Sequence, residues 1–229
     1  LGLRFLLFFL FAAPVLLAQD LLQRYFEAVA RQADRTRDIR MEMDFDARLL
    51  KLGKAGHLTG MRYVAKSGQV AFTIKSITGE DTVKKHVIAR YLAGEQENST
   101  RQLDSGINDR NYKFKFKRVA ETDGRRVHLY EISPRKKRVG LYKGEFWIDE
   151  ETALPVQEAG QFVKSPSPIF LKKVSFTRTY LTVDGVALPT RIESLIETRI
   201  VGKAELVINY TNFQPGGDPP VDPPPGTGQ

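Results

Sequence analysis

Hydrophobic and polar positions alternate most clearly between Ile39 and Leu49. There Ile39, Met41, Met43, Phe45, Ala47 and Leu49 are separated by Arg40, Glu42, Asp44, Asp46 and Arg48. Six apolar positions at a period of two predict a half-buried β-strand. Upstream the period is helical. Leu22, Phe26, Val29 and Ala33 recur along one face, Leu21 and Tyr25 widen the stripe, and Arg24, Glu27, Arg31 and Gln32 fall outside it. A helix is predicted there, with Asp20 as its N-cap.

The Leu52-Gly53-Lys54-Ala55-Gly56 stretch ends the first strand, and a second is expected around residues 58–65. Ser67-Gly68 then turns the chain into a third, carried by Val70, Phe72 and Ile74. Thr78 and Asp81 have the spacing of a capping box, and Val83, Val87, Tyr91 and Leu92 share one helical face. An inserted helix is predicted, with the polar stretch from Gly94 to Asn111 as its end plus a long loop. From Tyr112 onward the chain reads as strand after strand. Tyr112, Phe114 and Phe116 alternate with lysines, Asp123-Gly124 is a hairpin turn, and further strands are expected over 126–132, 142–148, 156–163, 169–181, 186–200 and 204–213. Two junctions share an Asp-led turn followed by Ala-Leu-Pro, ending at Pro155 and Pro189, where proline belongs at a strand start or an edge. This pattern implies a meander of antiparallel neighbours and not βαβ units.

The two ends read differently. Residues 5–18 carry no charge after Arg4, and this run is shorter than the ~20 apolar residues of a spanning helix. It has the form of a secretory signal cut after Ala18, the alternative being an uncleaved anchor. At the other end, Pro215 to Gln229 hold six of the twelve prolines and four glycines, the composition of a flexible tail. The expected organisation is a signal peptide over 1–18, one domain over 19–214 and a disordered tail over 215–229.

Composition narrows the chemistry. With 229 residues, 41% of them hydrophobic and 27% charged, the chain is neither a polytopic membrane protein nor wholly disordered. It has no cysteine, which removes disulfides, thiolate metal sites and cysteine nucleophiles, and means that no lipidated cysteine follows the leader. His57, His86 and His128 are scattered, so no metal is expected. No Gly-rich phosphate loop, Gly-x-Ser-x-Gly elbow or His-Glu-x-x-His motif is present, Glu150 and Glu151 sit in a turn, and His128 sits in a strand. No catalytic residue and no cofactor is expected, and the chain is read as not an enzyme.

The net charge is +8, and +7 once Arg4 is removed with the leader. Two basic clusters contribute: Lys113, Lys115, Lys117 and Arg118 on one strand, and the run Arg135, Lys136, Lys137 and Arg138. They are either solvated surface or contacts for anionic head groups, with an anionic membrane surface as partner. Nucleic acid is not expected for an exported protein. The apolar strand faces are either a plain core under the helices or an apolar concavity only partly filled. On the second reading the lining candidates are Phe26, Met41, Met43, Phe45 and Phe72, with Tyr91, Phe114, Phe116 and Phe176.

The order of elements, together with the segments Trp147-Ile148-Asp149-Glu150-Glu151-Thr152-Ala153-Leu154-Pro155, Val186-Ala187-Leu188-Pro189-Thr190-Arg191-Ile192 and Gly202-Lys203-Ala204-Glu205-Leu206, resembles the LolA/LolB superfamily of outer-membrane lipoprotein-sorting proteins over roughly residues 20–214. The resemblance implies an α+β fold: a strongly curved antiparallel β-sheet, or incomplete β-barrel, covered by an N-terminal helix and one inserted helix. It also implies a cavity for acyl chains and no catalysis. The superfamily's ligand-handling arginine maps to no position here. The function expected is that of a periplasmic carrier of lipid or acylated protein. The alternative is an envelope-stress sensor or scaffold that binds a partner protein with the same fold.

Overall fold

The structure, a computed structural model, describes residues 13–100, 105–165, 167 and 169–216. Ten strands follow one another: β1 (Ile39–Leu49), β2 (Lys54–Val64), β3 (Val70–Gly79), β4 (Tyr112–Thr122), β5 (Arg125–Pro134), β6 (Tyr142–Asp149), β7 (Pro155–Phe162), β8 (Leu171–Val183), β9 (Val186–Thr198) and β10 (Lys203–Pro215). They form a single sheet in the order β3-β2-β1-β10-β9-β8-β7-β6-β5-β4. Apart from the β1–β10 seam, every neighbour in space is a neighbour in sequence. The sheet is antiparallel and open, with β3 and β4 as its edges among the described residues. Helix α1 spans Ala13–Gln32. The inserted helix consists of α2 (Asp81–Val83), a π-helical turn (Lys84–Ile88) and α3 (Ala89–Thr100). This is the expected curved α+β half-barrel.

Local sequence explains most of these elements. The period-two pattern of β1 buries Met41, Met43, Phe45, Ala47 and Leu49 on the inner face. Asp123 (φ 48°) and Gly124 (φ 71°) close β4 onto β5, and Asp184 (φ 49°) and Gly185 (φ 73°) close β8 onto β9. Both pairs hold the left-handed backbone that a two-residue hairpin turn demands. Pro189 lies within β9 next to a register shift, where the bulge removes the need for its missing donor.

Several expectations are corrected. Helix α1 begins at Ala13, so Asp20 lies inside it and caps nothing. The expected cleavage after Ala18 falls within this helix, whereas most of the leader, residues 1–12, and the tail from 217 lie outside the described residues. Val29 and Ala33 are exposed, and Ala28 takes the buried position, because the stripe turns with a 3.6-residue period. Thr78 belongs to β3, which runs on to Gly79, so the inserted helix starts from Glu80 without a side-chain cap. Gly94 lies in mid-helix, and α3 continues to Thr100.

Curvature follows from what shares a cavity. Val70 of β3 and Tyr142 of β6 line one space, although seven strand spacings separate them in the sheet. In a flat sheet those spacings would place them roughly 33 Å apart. Glycine permits close approach at two points. A methyl group on Gly56 would lie 3.0 Å from Val83 Cγ1, so the inserted helix sits directly on β2. Gly160 faces Gly144 across β6–β7, and a methyl group there would strike the Tyr142 ring.

The inner face holds two main clusters. Helix α1 brings Ala18, Leu21 and Tyr25 against Tyr112, Tyr130, Ile132, Phe146 and Ile148. The inserted helix brings Val83, Val87, Ile88 and Leu92 against Met41, Met43, Phe45, Leu58, Ile192, Ile196, Leu206 and Ile208.

Candidate ligand-binding site

Between the two helices lies a concavity of about 930 Å³. Tyr25 of α1, Arg62 of β2, Glu95 and Ser99 of α3, and Tyr142, Glu158, Arg178 and Tyr180 of β6–β8 face it. Beneath the inserted helix is a smaller, apolar pocket of about 270 Å³. Val87 and Tyr91 roof it, and Val174, Phe176, Ile192, Ile196 and Ala204 form its floor. Glu95, Asn98, Phe162, Phe176 and Arg178 line both spaces, so they mark the passage between them. The roof carries the π-helical turn, a feature frequent at functional sites. It is latched at one side by Arg90, whose guanidinium lies 3.5 Å from the centre of the Phe170 ring.

A polar network crosses the concavity. Glu158, only 2% exposed, points inward from β7 opposite Arg178 of β8. Its Oε1 accepts hydrogen bonds from Arg178 Nη1 (2.6 Å) and Tyr180 Oη (2.6 Å), and its Oε2 accepts from Tyr142 Oη (2.7 Å). Three donors offset the desolvation that would otherwise make such a carboxylate costly. Burial works most strongly against the Arg178 charge, but Glu158 and Tyr180 together outweigh it, and its pKa lies well above the usual arginine range. Burial, followed by Glu158, holds the Tyr142 hydroxyl well above its ordinary pKa, so it remains a donor. The same two causes raise Tyr180. A second ion pair stands across the concavity, where Arg62 Nη2 donates to Glu95 Oε2 at 3.3 Å.

The structure separates the residues expected to line a cavity. Tyr91 and Phe176 border the apolar pocket, and Phe176 borders the concavity as well. Met41, Met43 and Phe45 are packed under the inserted helix, with Phe72 at the margin of that cluster. Phe26, Phe114 and Phe116 pack in the α1 half. Within the basic run, Arg135 Nε donates to the backbone carbonyls of Asp109 (2.7 Å) and Tyr112 (3.2 Å), and Arg138 bonds the Asn111 side chain. Lys136 and Lys137 lie exposed between them. Lys117 pairs with Glu131 at 3.2 Å.

Sequence reading missed Glu158, Arg178, Tyr180, Tyr142, Arg62 and Glu95. The signal available was strand parity. Val156 and Glu158 alternate with outward residues on β7, as do Phe176, Arg178 and Tyr180 on β8, so a carboxylate and a guanidinium fall on inward positions. On the outer face, His57 stands between Asp46 (Nδ1 to Oδ1, 3.1 Å) and Asp44 (Nε2 to Oδ2, 3.6 Å). Each ring nitrogen faces its own carboxylate on this solvated face.

No protein-family model matches the chain, and no curated protein matches it in sequence. Among solved structures, a LolA superfamily protein from Nitrosomonas europaea is similar at 12% identity, with 88% of this chain and 94% of that chain aligned and a TM-score of 0.41. A DUF1329 family protein from Desulfovibrio piger is similar at 11% identity, covering 84% and 92% with a TM-score of 0.45. A domain assigned to outer-membrane lipoprotein sorting, from Vibrio parahaemolyticus, is similar at 14% identity, covering 86% and 92% with a TM-score of 0.43.

Proposed function

We propose that the protein is a non-catalytic carrier of the cell envelope that binds lipid or acylated protein, in the service of lipoprotein sorting to the outer membrane. One observation carries this reading. The apolar pocket lies under the inserted helix and opens onto a wide polar concavity. An acyl chain in that pocket gains ~0.8 kcal/mol for each methylene removed from water, and it leaves when a better apolar site is offered, without an energy source in the chain. The periplasm is the compartment in which such a carrier works, in keeping with the apolar leader. No helix among the described residues is long and apolar enough to cross a membrane.

Native mass spectrometry after gentle purification tests the proposal. A co-purifying mass that extracts as an acyl lipid supports the carrier if it is absent from Ser194→Leu, since Ser194 also lines the apolar pocket and a leucine there would fill it. The second reading, a scaffold or sensor that binds a partner protein, is favoured by β3, an edge strand whose Ile74 and Ile77 are exposed. A stable protein partner without any bound lipid would favour that reading and sink the first.

A further inference from the structure

We propose that the cargo is an anionic amphiphile with one acyl chain, its negative group held at Arg178 at the mouth of the apolar pocket. This rests on the reading that the pocket takes an acyl chain, and it adds the charge, the head-group position and the number of chains.

The charge follows from how the donors and acceptors are matched. Arg37, Arg62 and Arg178 line the concavity together with Glu95 and Glu158, three cations against two carboxylates. Both carboxylates are already engaged, Glu158 by Arg178 and two tyrosines, Glu95 by Arg62. The donors are not used up. Four buried side-chain polar atoms have no partner among the described residues: Arg62 Nε, Arg178 Nε, His86 Nδ1 and His128 Nδ1. Three of these four residues, Arg62, Arg178 and His86, line the concavity or the pocket. Native proteins leave few buried donors without an acceptor, so the guanidinium N–H groups of Arg62 and Arg178 that are unmatched among the described residues favour a cargo that brings acceptors of its own. Two guanidinium groups in a partly enclosed space favour an acceptor that carries negative charge.

Position follows from Arg178. Its residue lines both spaces, 33% of its side chain remains accessible, and the guanidinium lies 5.6 Å from the Phe176 ring that floors the pocket. A head group bonded there directs its chain past Phe176 and under Val87 and Tyr91. Chain number follows from volume. The pocket's 270 Å³ lies just below the usual range of ligand cavities, room for one chain and not for several, while the concavity outside it is more than three times larger. The fitting cargo therefore has a small apolar part and a bulky polar one.

The test compares three single-chain probes by isothermal titration below their micelle concentrations: lysophosphatidylglycerol, palmitate and the neutral monopalmitoylglycerol. Each is measured on the wild type, on Arg178→Lys and on the double variant Arg178→Met/Glu158→Gln, which removes the buried pair together and leaves no lone charge. The wild type is expected to bind at least one anionic probe tenfold or more tighter than the neutral one. Tighter lysophosphatidylglycerol assigns the preference to a phosphate with a bulky head, and tighter palmitate to the carboxylate alone. Arg178→Lys should keep part of the preference, and the double variant should bind all three probes equally, with its fold checked by circular dichroism. Equal binding of charged and neutral probes by the wild type overturns the inference while leaving the acyl-carrier reading intact. A preference that survives in the folded double variant overturns it as well. No binding of any probe overturns both.

Discussion

The two halves of the inner face are closed in opposite ways. Under α1 the space is filled with interlocking rings: Tyr25 meets Phe146 at 5.0 Å between centres, Phe26 meets Phe114 at 5.5 Å, and Phe116 meets Tyr130 at 5.8 Å. The Tyr130 hydroxyl also ties the helix down, donating to the Ala18 carbonyl at 2.5 Å. Under the inserted helix the side chains are mostly aliphatic, the helix carries a π turn, and a pocket remains. Dense aromatic packing tolerates little loss of volume, whereas a roof over a void opens at lower cost. One sheet thus holds a rigid half and a yielding half, and the polar network of Glu158 stands where they meet.

Core truncation should show the largest difference. Phe146→Ala is expected to cost about 3–5 kcal/mol in urea unfolding, because a fully buried ring leaves a cavity that its aromatic neighbours cannot close. Val87→Ala, in the roof of an existing pocket, should cost roughly 1–2 kcal/mol. Equal losses would erase the distinction between the halves.

Alkali should weaken both halves, the α1 half through more groups, because burial raises Tyr91 and Tyr210 under the inserted helix but four tyrosines on the other side. Burial pushes the Tyr112 hydroxyl up to about 12, and raises Tyr25, Tyr130 and Tyr142 too, all in the α1 half. Because the folded state holds these protons more tightly, the stability they give is intact below pH 10. It is lost as pH rises from 10 through 12, where the unfolded chain ionises first. Tyr112 alone accounts for roughly 2–3 kcal/mol of that loss. Near-ultraviolet circular dichroism followed against pH checks it, and a flat signal to pH 12 would refute it.

Hydrogen exchange near neutral pH sharpens the same contrast at smaller amplitude. Amides of α3 are expected to exchange well before those of α1 and of β8 to β10, and a bound acyl amphiphile should slow α3 while leaving α1 unchanged. Uniform protection would mean that the inserted helix is ordinary core. The smallest change in stability belongs to Ser194→Leu on the pocket floor. Filling the void should leave the unfolding free energy within about 1 kcal/mol of the wild type and abolish acyl binding. Thermal melts read beside lipid extraction check both halves of that statement.

The architecture was far more legible than the site. Period-two runs such as Met41-Met43-Phe45 and Asp-Gly turns located the strands, because each is a local signal with a local cause. Helix starts were misplaced at Asp20 and Thr78, since a capping residue type marks an end only where the chain has not already committed to another element. The aromatic residues proposed as lining became mostly core, because apolar character alone does not tell a filled face from an empty one. Glu158 and Arg178 lie twenty positions apart and meet only through the β7–β8 register. That pairing is a property of the sheet, and no short window of sequence contains it.

The seam between β1 and β10 bears on how the chain is made. β1 is paired on both sides in the finished sheet, yet one of its partners, β10, comes from the far end of the domain in sequence. While the chain is being synthesised, the hairpins on either side can form early from local contacts. The strand that joins them arrives last, and pairings of such long separation are slow to form. Until then β1 presents an open edge beside the apolar Met41, Met43 and Phe45. Arg40, Glu42, Asp44, Asp46 and Arg48, which add little to the stability of the finished fold, occupy every second position of that waiting edge, and their charges discourage other chains from pairing with it first.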